Sequence, residues 1–599
     1  MKRSVQVITT LFLFFLILSA NMQAQNVQLE YFLSMSKPYT HYFEVTTKVT
    51  GLQKDYIDFL MPVWAPGSYL VRDFPKNVEF FHAYNGNGDE LKFEKINKYT
   101  WRVYSNNSGE VKIKYDVYAF KASVRTSFLD SNHGYLNGTS ILMYIDEMKD
   151  LPSTLTITPY KDWKKVSTGL EPVAGKNFTY HSPNYDILVD SPIEIGNQDV
   201  FEFDAAGVKH YVAMYGKGNY NVDTLKKYMG KIVEEETKVV GENPNKHYTF
   251  IIHNLERGSG GLEHLNSTTL EVNRWIYSPN MLMRFLGTVS HEYFHLWNVK
   301  RIRPIALGPF DYQKENYTRL LWEMEGVTSY YGSLVLERAG MISQEHYLGR
   351  VSGGISYVDG QPGRKVQSPS ESSFDAWIKQ YQPNENSNNT TVTYYASGAI
   401  LGALLDLEII NNTNGRKNYD DVLRYLYNEY YKKLDRGFTD KEYKTVVEKI
   451  ANENLDQFFH DYVYSTEEMD YNKYFGYAGL KLVDTGKDES HFGARAFDKN
   501  GKLIVRSVEV GTSAYDGGIN ANDEIIALDG YRVDSDNLKK IINQYKPGDV
   551  LEVTVSRDGI IKTLDVKLKT HHNYKYKLVK VDNPTEKQQM IYNKWLGIK

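Results

Sequence analysis

Residues 290–298 read Ser-His-Glu-Tyr-Phe-His-Leu-Trp-Asn, and this stretch constrains the fold more than any other. His291 and His295 stand four apart. In a helix that spacing puts both imidazoles on one face, one turn apart, where they can share one Zn²⁺. Glu292 projects beside such a metal rather than onto it, where a general base for a bound water must sit. The flanks favour a helix. Ser278 suits an N-cap and Pro279 the first helical position. Met281, Leu282, Phe285, Val289 and Leu296 then give a helical apolar rhythm, interrupted only by Gly287.

The 599 residues include no Cys, which excludes thiol catalysis, disulfides and Cys-ligated zinc. Any zinc must therefore use His and carboxylate ligands. A catalytic site built on two His needs one further protein ligand and one open position. Thr318 to Ala339 reads as a second helix closed by Gly340, and it contains Trp322-Glu323-Met324-Glu325-Gly326. Glu323, Glu325, Asp311 and Glu315 are the nearby carboxylates, and spacing does not choose among them. A net charge of −4 offers no basic surface for nucleic acid or an anionic membrane.

The first 24 residues read as a signal peptide. Lys2 and Arg3 form a basic start, an apolar run extends to Leu18, and Ser19, Ala20 and Ala24 are small. The run is short for a membrane span and contains Thr9 and Thr10, which favours cleavage over anchoring. The expectation is an exported chain, periplasmic or secreted, with no stable membrane anchor after cleavage.

The rest divides by texture. Residues 25–205 are β-rich: His41 to Val49 alternates Phe43, Val45, Thr47 and Val49 against polar partners, and Tyr99 to Tyr104 and Val111 to Tyr115 repeat the pattern around Asn106-Asn107-Ser108-Gly109. Met61 to Tyr69 is too rich in Pro and Gly for a strand and reads as a shaped loop, a structural corner or part of a cleft. Residues 206–340 mix strands and helices around the His-Glu-x-x-His motif. They include Gly258-Ser259-Gly260-Gly261-Leu262-Glu263-His264, where glycines let a backbone approach a ligand closely. Residues 341–473 are mainly helical, with a polar loop or insertion expected over 351–392. From 474 to 570 come short strands and Gly turns, including hairpins at Asp529-Gly530 and Asp558-Gly559. Residues 571–599 read as a charged tail, and His571 and His572 as surface residues.

Four patches resemble one family. His291-Glu292-Tyr293-Phe294-His295 with Trp297-Asn298, Trp322-Glu323-Met324-Glu325-Gly326, Gly260-Gly261-Leu262-Glu263-His264 and Tyr395-Ala396-Ser397-Gly398 are similar to the motifs of the M61 peptidases. These are the glycyl aminopeptidase family of zinc metallopeptidases, related to the M1 aminopeptidases. The family's motifs have Met, Asn and Lys where this chain has Leu262, His264 and Ser397. Val508 to Ile525, and Tyr474 to Leu480 as a carboxylate loop, resemble a PDZ module.

The resemblance implies a multidomain α+β fold. It has an N-terminal β-rich domain, a thermolysin-like gluzincin catalytic domain with a helical C-terminal part, and a PDZ domain. It assigns one Zn²⁺ per chain to His291, His295 and Glu325, with Glu292 as base and Tyr395 (or the adjacent Tyr394) assisting the oxyanion. It gives Glu263 the substrate's free amine, with Gly260 and Gly261 beside the peptide backbone. The expected activity is an aminopeptidase removing N-terminal Gly or Ala, with a peptide C-terminus as a further partner at the PDZ. Two alternatives stand beside it. One is a zinc endopeptidase or oligopeptidase without free-amine selection. The other is a PDZ peptide-binding protein whose zinc site is structural or silent.

Overall fold

The computed structural model describes residues 27–598, so the expected signal peptide lies outside the described residues. Alternation decides the N-terminal domain. Tyr42–Thr50 buries Phe43, Val45, Thr47 and Val49 and leaves the residues between them half-exposed. It sits within a seven-stranded sheet, flanked by Gln28–Ser34 and Glu110–Tyr118. The strands on either side of Asn106-Asn107 do not pair with each other. Thr100–Val103 joins a separate three-stranded sheet, whereas Glu110–Tyr118 joins the large one.

The next domain begins with a five-stranded sheet of β1 (Asp199–Ala205), β2 (Val208–Tyr215), β3 (His247–Leu255), β4 (Ser259–Glu263) and β5 (Ser267–Asn273), ordered β1-β2-β3-β5-β4. The parallel β2-β3 step is bridged by helix α1 (Val222–Val240), which Asn221 caps through Thr224 and Gly241 ends in a left-handed conformation. Strand β4 runs antiparallel to β5 at the sheet edge and delivers Gly260, Gly261 and Glu263.

Helix α2 (Leu282–Phe294) packs on β4 and β5, α3 (Thr328–Arg338) packs on α2, and α4 (Gln344–Asp359) and α5 (Tyr394–Asn412) pack against α3 and each other. Helix α2 starts three residues beyond Pro279, because Ser278 to Met281 form a turn whose Ser278 carbonyl accepts from Leu282 N–H. The expected helix from Thr318 is also shorter. A π-helical stretch, Trp322–Val327, precedes α3.

The expected insertion over 351–392 is largely helical. Helix α4 runs through Val351 to Asp359, and Pro369–Phe374 follows behind a Ser368/Glu371 capping box. Glycine and serine gave this stretch a loop-like texture. Burial of Tyr347, Leu348, Ile355 and Val358, a helical rhythm, overrides it.

In the C-terminal region, where a PDZ module is expected, the sheet is ordered Ala494–Lys499, Lys502–Val508, Glu524–Leu528, Val550–Arg557, Ile560–Lys567. Both Asp-Gly pairs make turns with positive φ at each residue, as a type I′ hairpin requires. Residues Tyr474 to Tyr477, expected in a carboxylate loop, lie in a helix instead. The groove beside helix Leu538–Ile542 is lined on its other side by residues 489–494 and by His571 and Asn573. The segment 571–599 is not a free tail. Tyr576–Lys580 pairs with Leu480–Asp484, and helix α6 (Glu586–Leu596) buries Trp595, whose Nε1 donates to Tyr330 Oη at 2.9 Å.

Candidate active site

Helix α2 is held by its apolar face, with Phe285, Leu286, Val289, Tyr293 and Phe294 buried. Its other face brings the imidazoles together, His291 Nε2 lying 3.1 Å from His295 Nε2. His295 keeps helical φ and ψ at the helix end, so the four-residue spacing survives there. Its Nδ1 lies 2.7 Å from the Asn298 carbonyl, which fixes the proton on Nδ1 and leaves Nε2 free to ligate. Asn298 then donates from Nδ2 to Thr328 Oγ1 at 3.1 Å and ties the end of α2 to the start of α3.

The π-helical stretch supplies the third group. Glu325 Oε2 is 3.5 Å from His291 Nε2 and 3.3 Å from His295 Nε2. Three ligand atoms thus converge from two helices at separations suited to a shared tetrahedral cation. Burial raises the Glu325 carboxyl, but the two imidazoles outweigh it and hold it well below the usual carboxylate range. Glu323, the rival in sequence, points elsewhere: it is fully buried and accepts from Tyr419 Oη at 3.3 Å. Asp311 and Glu315 take no part in the cluster.

Close backbone approach sets the Glu325 turn. A Cβ at Gly398 would overlap the Trp322 carbonyl, and one at Gly326 would overlap the Gly398 backbone. Gly398→Ala is therefore expected to cost about 1–3 kcal/mol or more, because backbone cannot rotate out of the way as a side chain can. Denaturant unfolding of the variant checks this, and an unchanged midpoint would refute the close contact.

Glu292 is 7% exposed. Burial pushes its carboxyl up, and the Glu263 and Glu325 charges add to this. Its carboxylate lies against the backbone of Gly261, where a Cβ would overlap Oε1. Glu263, also buried, places an oxygen within 4.8 Å of ligand atoms of Glu292 and His295. Its own carboxylate rests against Gly67 of the N-terminal loop, where no side chain would fit.

That loop is part of the cleft as well as a corner. Trp64 stacks edge-on against Trp377 at 5.0 Å and donates to the Asp311 carbonyl at 2.9 Å, while Tyr69 meets Trp377 at 5.6 Å and Tyr381 at 5.9 Å. Tyr395 holds its ring 6.2 Å from that of His291, and the Glu325 charge adds to burial in raising its hydroxyl pKa. Tyr394 stacks behind it and is fully buried.

His291, Glu292, His295, Glu325, Glu263, Gly261 and Tyr395 thus share one cleft. Gly260 lies at its edge, 3.5 Å from Arg125 Nη1 as measured to a Cβ built on it. Not evident from the sequence were Tyr69 and Tyr381 in the cleft wall, Asn298 as a clamp, and Arg125, whose Nη2 donates to the Gly261 carbonyl at 3.4 Å. The unusual Pro/Gly texture of 61–69 was the one signal that could have found Tyr69.

The chain matches the profile of the M61 peptidase N-terminal domain over residues 30–197, that of the M61 glycyl aminopeptidase over 284–401, and that of a PDZ domain over 480–568. An aminopeptidase N family protein from Idiomarina loihiensis is 30% identical, with a TM-score of 0.88, covering 95% of this chain and 100% of that one. Yeast LTA4 hydrolase in complex with bestatin is 13% identical over 75% of this chain and 69% of its own, at a TM-score of 0.46. An M1 zinc metallopeptidase from Deinococcus radiodurans, a mutant bound to a Tyr-Ser-Ala substrate, is 12% identical over 74% and 95%, also at 0.46. Both of these likenesses are too weak to add to the first. None of the curated proteins compared matches the chain. The chain belongs to the M61 family and is a metallopeptidase with a PDZ domain after its catalytic part.

Proposed function

We propose that the protein is an exported zinc aminopeptidase that removes small N-terminal residues, Gly or Ala, from peptides. The observation that carries this reading is Glu263. A second buried carboxylate stands beside the base candidate and one imidazole, within 4.8 Å of both, and it is neither of the two groups the hydrolysis itself requires. Among the described residues no side-chain hydrogen bond or ion pair engages the Glu263 carboxylate, which leaves it for a substrate α-ammonium.

His291, His295 and Glu325 would hold one Zn²⁺, with their free Nε2 atoms and Oε2 as the donor set. When bound, the zinc supplies a water of lowered pKa and polarises the scissile carbonyl. Glu292 accepts the water's proton and returns it to the leaving amine. Tyr395 Oη donates to the developing oxyanion. Glu263 pairs with the α-ammonium and sets the cut one residue from the N-terminus. Gly260 and Gly261, on the edge strand β4, leave room for the peptide backbone. The PDZ groove would take a peptide C-terminus by strand addition.

Gly- and Ala-linked reporters assayed beside an N-blocked peptide, with and without chelator, test the reading. Cleavage of the free-amine reporters alone, abolished by chelator, is the expected result. Cleavage of the blocked peptide would favour the endopeptidase alternative, and no chelator-sensitive cleavage would favour a PDZ binder with a silent site. Glu263→Ala should lower kcat/KM on aminoacyl reporters by about 30-fold or more, the scale for removing one partner of a buried charge pair. Equal damage to any blocked substrate would refute its amine-binding role. Tyr395→Phe should lower kcat by about 10²–10³-fold, and an unaffected kcat would move that role to Tyr394.

A further inference from the structure

Among the described residues, two clusters outside the cleft repeat its set of two imidazoles and one carboxylate. They differ in one respect. At His133, Glu194 and His253 the carboxylate is already engaged, with His133 Nδ1 2.8 Å from Oε1 and His253 Nε2 2.9 Å from Oε2. Those hydrogen bonds account for the buried charge. At His491, Glu509 and His571 no such bond forms. His491 Nε2 stands 3.7 Å from Glu509 Oε2, and His571 Nε2 stands 3.9 Å from Oε1. Both separations are too long for a hydrogen bond. Yet His491 Nε2 is buried, and it has no hydrogen-bond partner among the described residues.

The fold brings these three side chains together from separate segments. Strand Lys487–His491 pairs antiparallel with Lys569–Asn573, with His491 opposite Lys569 and Glu489 opposite His571. His491 and His571 are therefore diagonal neighbours on one face. Their rings stack at 4.5 Å. His572, next in the strand, belongs to the other face, where Asp488 and Asp484 each hold it at 2.7 Å. Glu509 follows the strand Lys502–Val508, and its backbone is fixed from two directions. Its N–H donates to the Gly493 carbonyl at 2.8 Å. On either side of it, the Val508 carbonyl accepts from Asn389 Nδ2 at 2.8 Å and the Val510 N–H donates to Asn389 Oδ1 at 3.0 Å. A carboxylate on so anchored a backbone is presented to the two imidazoles rather than left to wander in solvent.

We infer that His491, Glu509 and His571 form a second divalent-cation site, suited to Zn²⁺, in the PDZ domain. One donor atom from each residue lies within 4.8 Å of the others. In the cleft, Glu325 Oε2 stands 3.5 and 3.3 Å from its two imidazole nitrogens, so the PDZ cluster is the same donor set, slightly wider. Donors bound to a tetrahedral Zn²⁺ at about 2.0–2.1 Å stand about 3.3 Å apart, a spacing within reach of small side-chain rotations from either cluster. Neutral imidazoles and a carboxylate are donors that suit Zn²⁺ where no thiolate is present, and three of them leave the fourth position to water. His491 and His571 also line the groove beside helix Leu538–Ile542, so the ion belongs to the groove wall. The site does not depend on the aminopeptidase reading.

Zinc counting on the full-length chain tests it. The protein is stripped with chelator, dialysed against Zn²⁺, freed of excess ion and analysed for zinc per chain. The wild type is expected to hold two ions. Glu325→Gln should hold one, and so should Glu509→Gln and His571→Asn, each made separately. Adding Glu325→Gln to either PDZ variant should leave none. Loss of one ligand should weaken the PDZ site by well over the about 10–100-fold typical of losing a supporting partner. Melting temperatures of the metal-free proteins report whether each variant is folded, and the wild-type and Glu325→Gln counts decide the matter without either PDZ substitution. A single ion in the wild type that Glu325→Gln removes entirely overturns the inference. So do two ions that survive in both Glu509→Gln and His571→Asn.

Discussion

In the Glu292→Gln enzyme kcat falls by about 10²–10⁴-fold, the usual contribution of a positioned general base, while bound metal stays at the wild-type level. The substitution is close to isosteric, so the side chain still fits against the Gly261 backbone. His291, His295 and Glu325 keep their mutual spacing, because none of them depends on Glu292 for a hydrogen bond. What is lost is the ability to take a proton. Burial and the charges of Glu263 and Glu325 raise the Glu292 carboxyl, which favours its proton-bound form and hence its capacity to pass a proton on. An amide has no such capacity. Single-turnover rates and elemental analysis of the same preparation separate the two effects. Turnover near the wild-type rate in an enzyme of full metal content would remove Glu292 from the mechanism.

The legible part of this site is the part that one helix carries. His291, Glu292 and His295 follow from a 3.6-residue period and nothing else, and the structure keeps their geometry although the helix starts later than Pro279 suggests. The choice between Glu323 and Glu325 was not legible. These two residues lie in a π-helical stretch, whose period differs from the one sequence patterns report, and the turn is seated by backbone contact between Gly326 and Gly398, far apart in sequence. Only family resemblance favoured Glu325.

Long-range convergence escaped the sequence altogether. Gly67 reaches Glu263 across 196 positions (263 − 67), and no local pattern encodes that meeting. Elsewhere composition misled. The Gly- and Ser-rich stretch after 351 folds as helix because Ile355 and Val358 are buried, and the charged segment after 571 is pinned by Trp595. Asp-Gly turns, by contrast, were read correctly at both PDZ hairpins, since positive φ at two successive residues admits few other pairs.

Glu325→Gln and Glu323→Gln, two positions apart, should behave as opposites. Glu325 Oε2 lies within 3.5 Å of Nε2 of both His291 and His295. Its replacement removes one of three donors and the anionic charge that a dication needs, so metal affinity should drop by well over the 10–100-fold typical of losing a mere supporting partner. Activity should disappear with it. Glu323 is fully buried, and among the described residues only a 3.3 Å hydrogen bond from Tyr419 meets its carboxylate. Burial pushes its pKa from the ordinary 4.5 to about 8. The sign follows from proton linkage. Between pH 4.5 and about 8 the folded state binds more protons at this site than the unfolded state does, so its contribution to stability falls as pH rises through that window. Glutamine stays neutral and removes the penalty. The Glu323→Gln protein should therefore hold its metal and lose less stability than the wild type between pH 5 and 8, within the window that pKa shift defines. Thermal melts at both pH values, with metal analysis alongside, decide the matter. Metal loss in Glu323→Gln, or full metal content in Glu325→Gln, would reverse the ligand assignment. A parallel pH dependence in Glu323→Gln and wild type would show that Glu323 is ionised in the fold, held by a partner other than Tyr419.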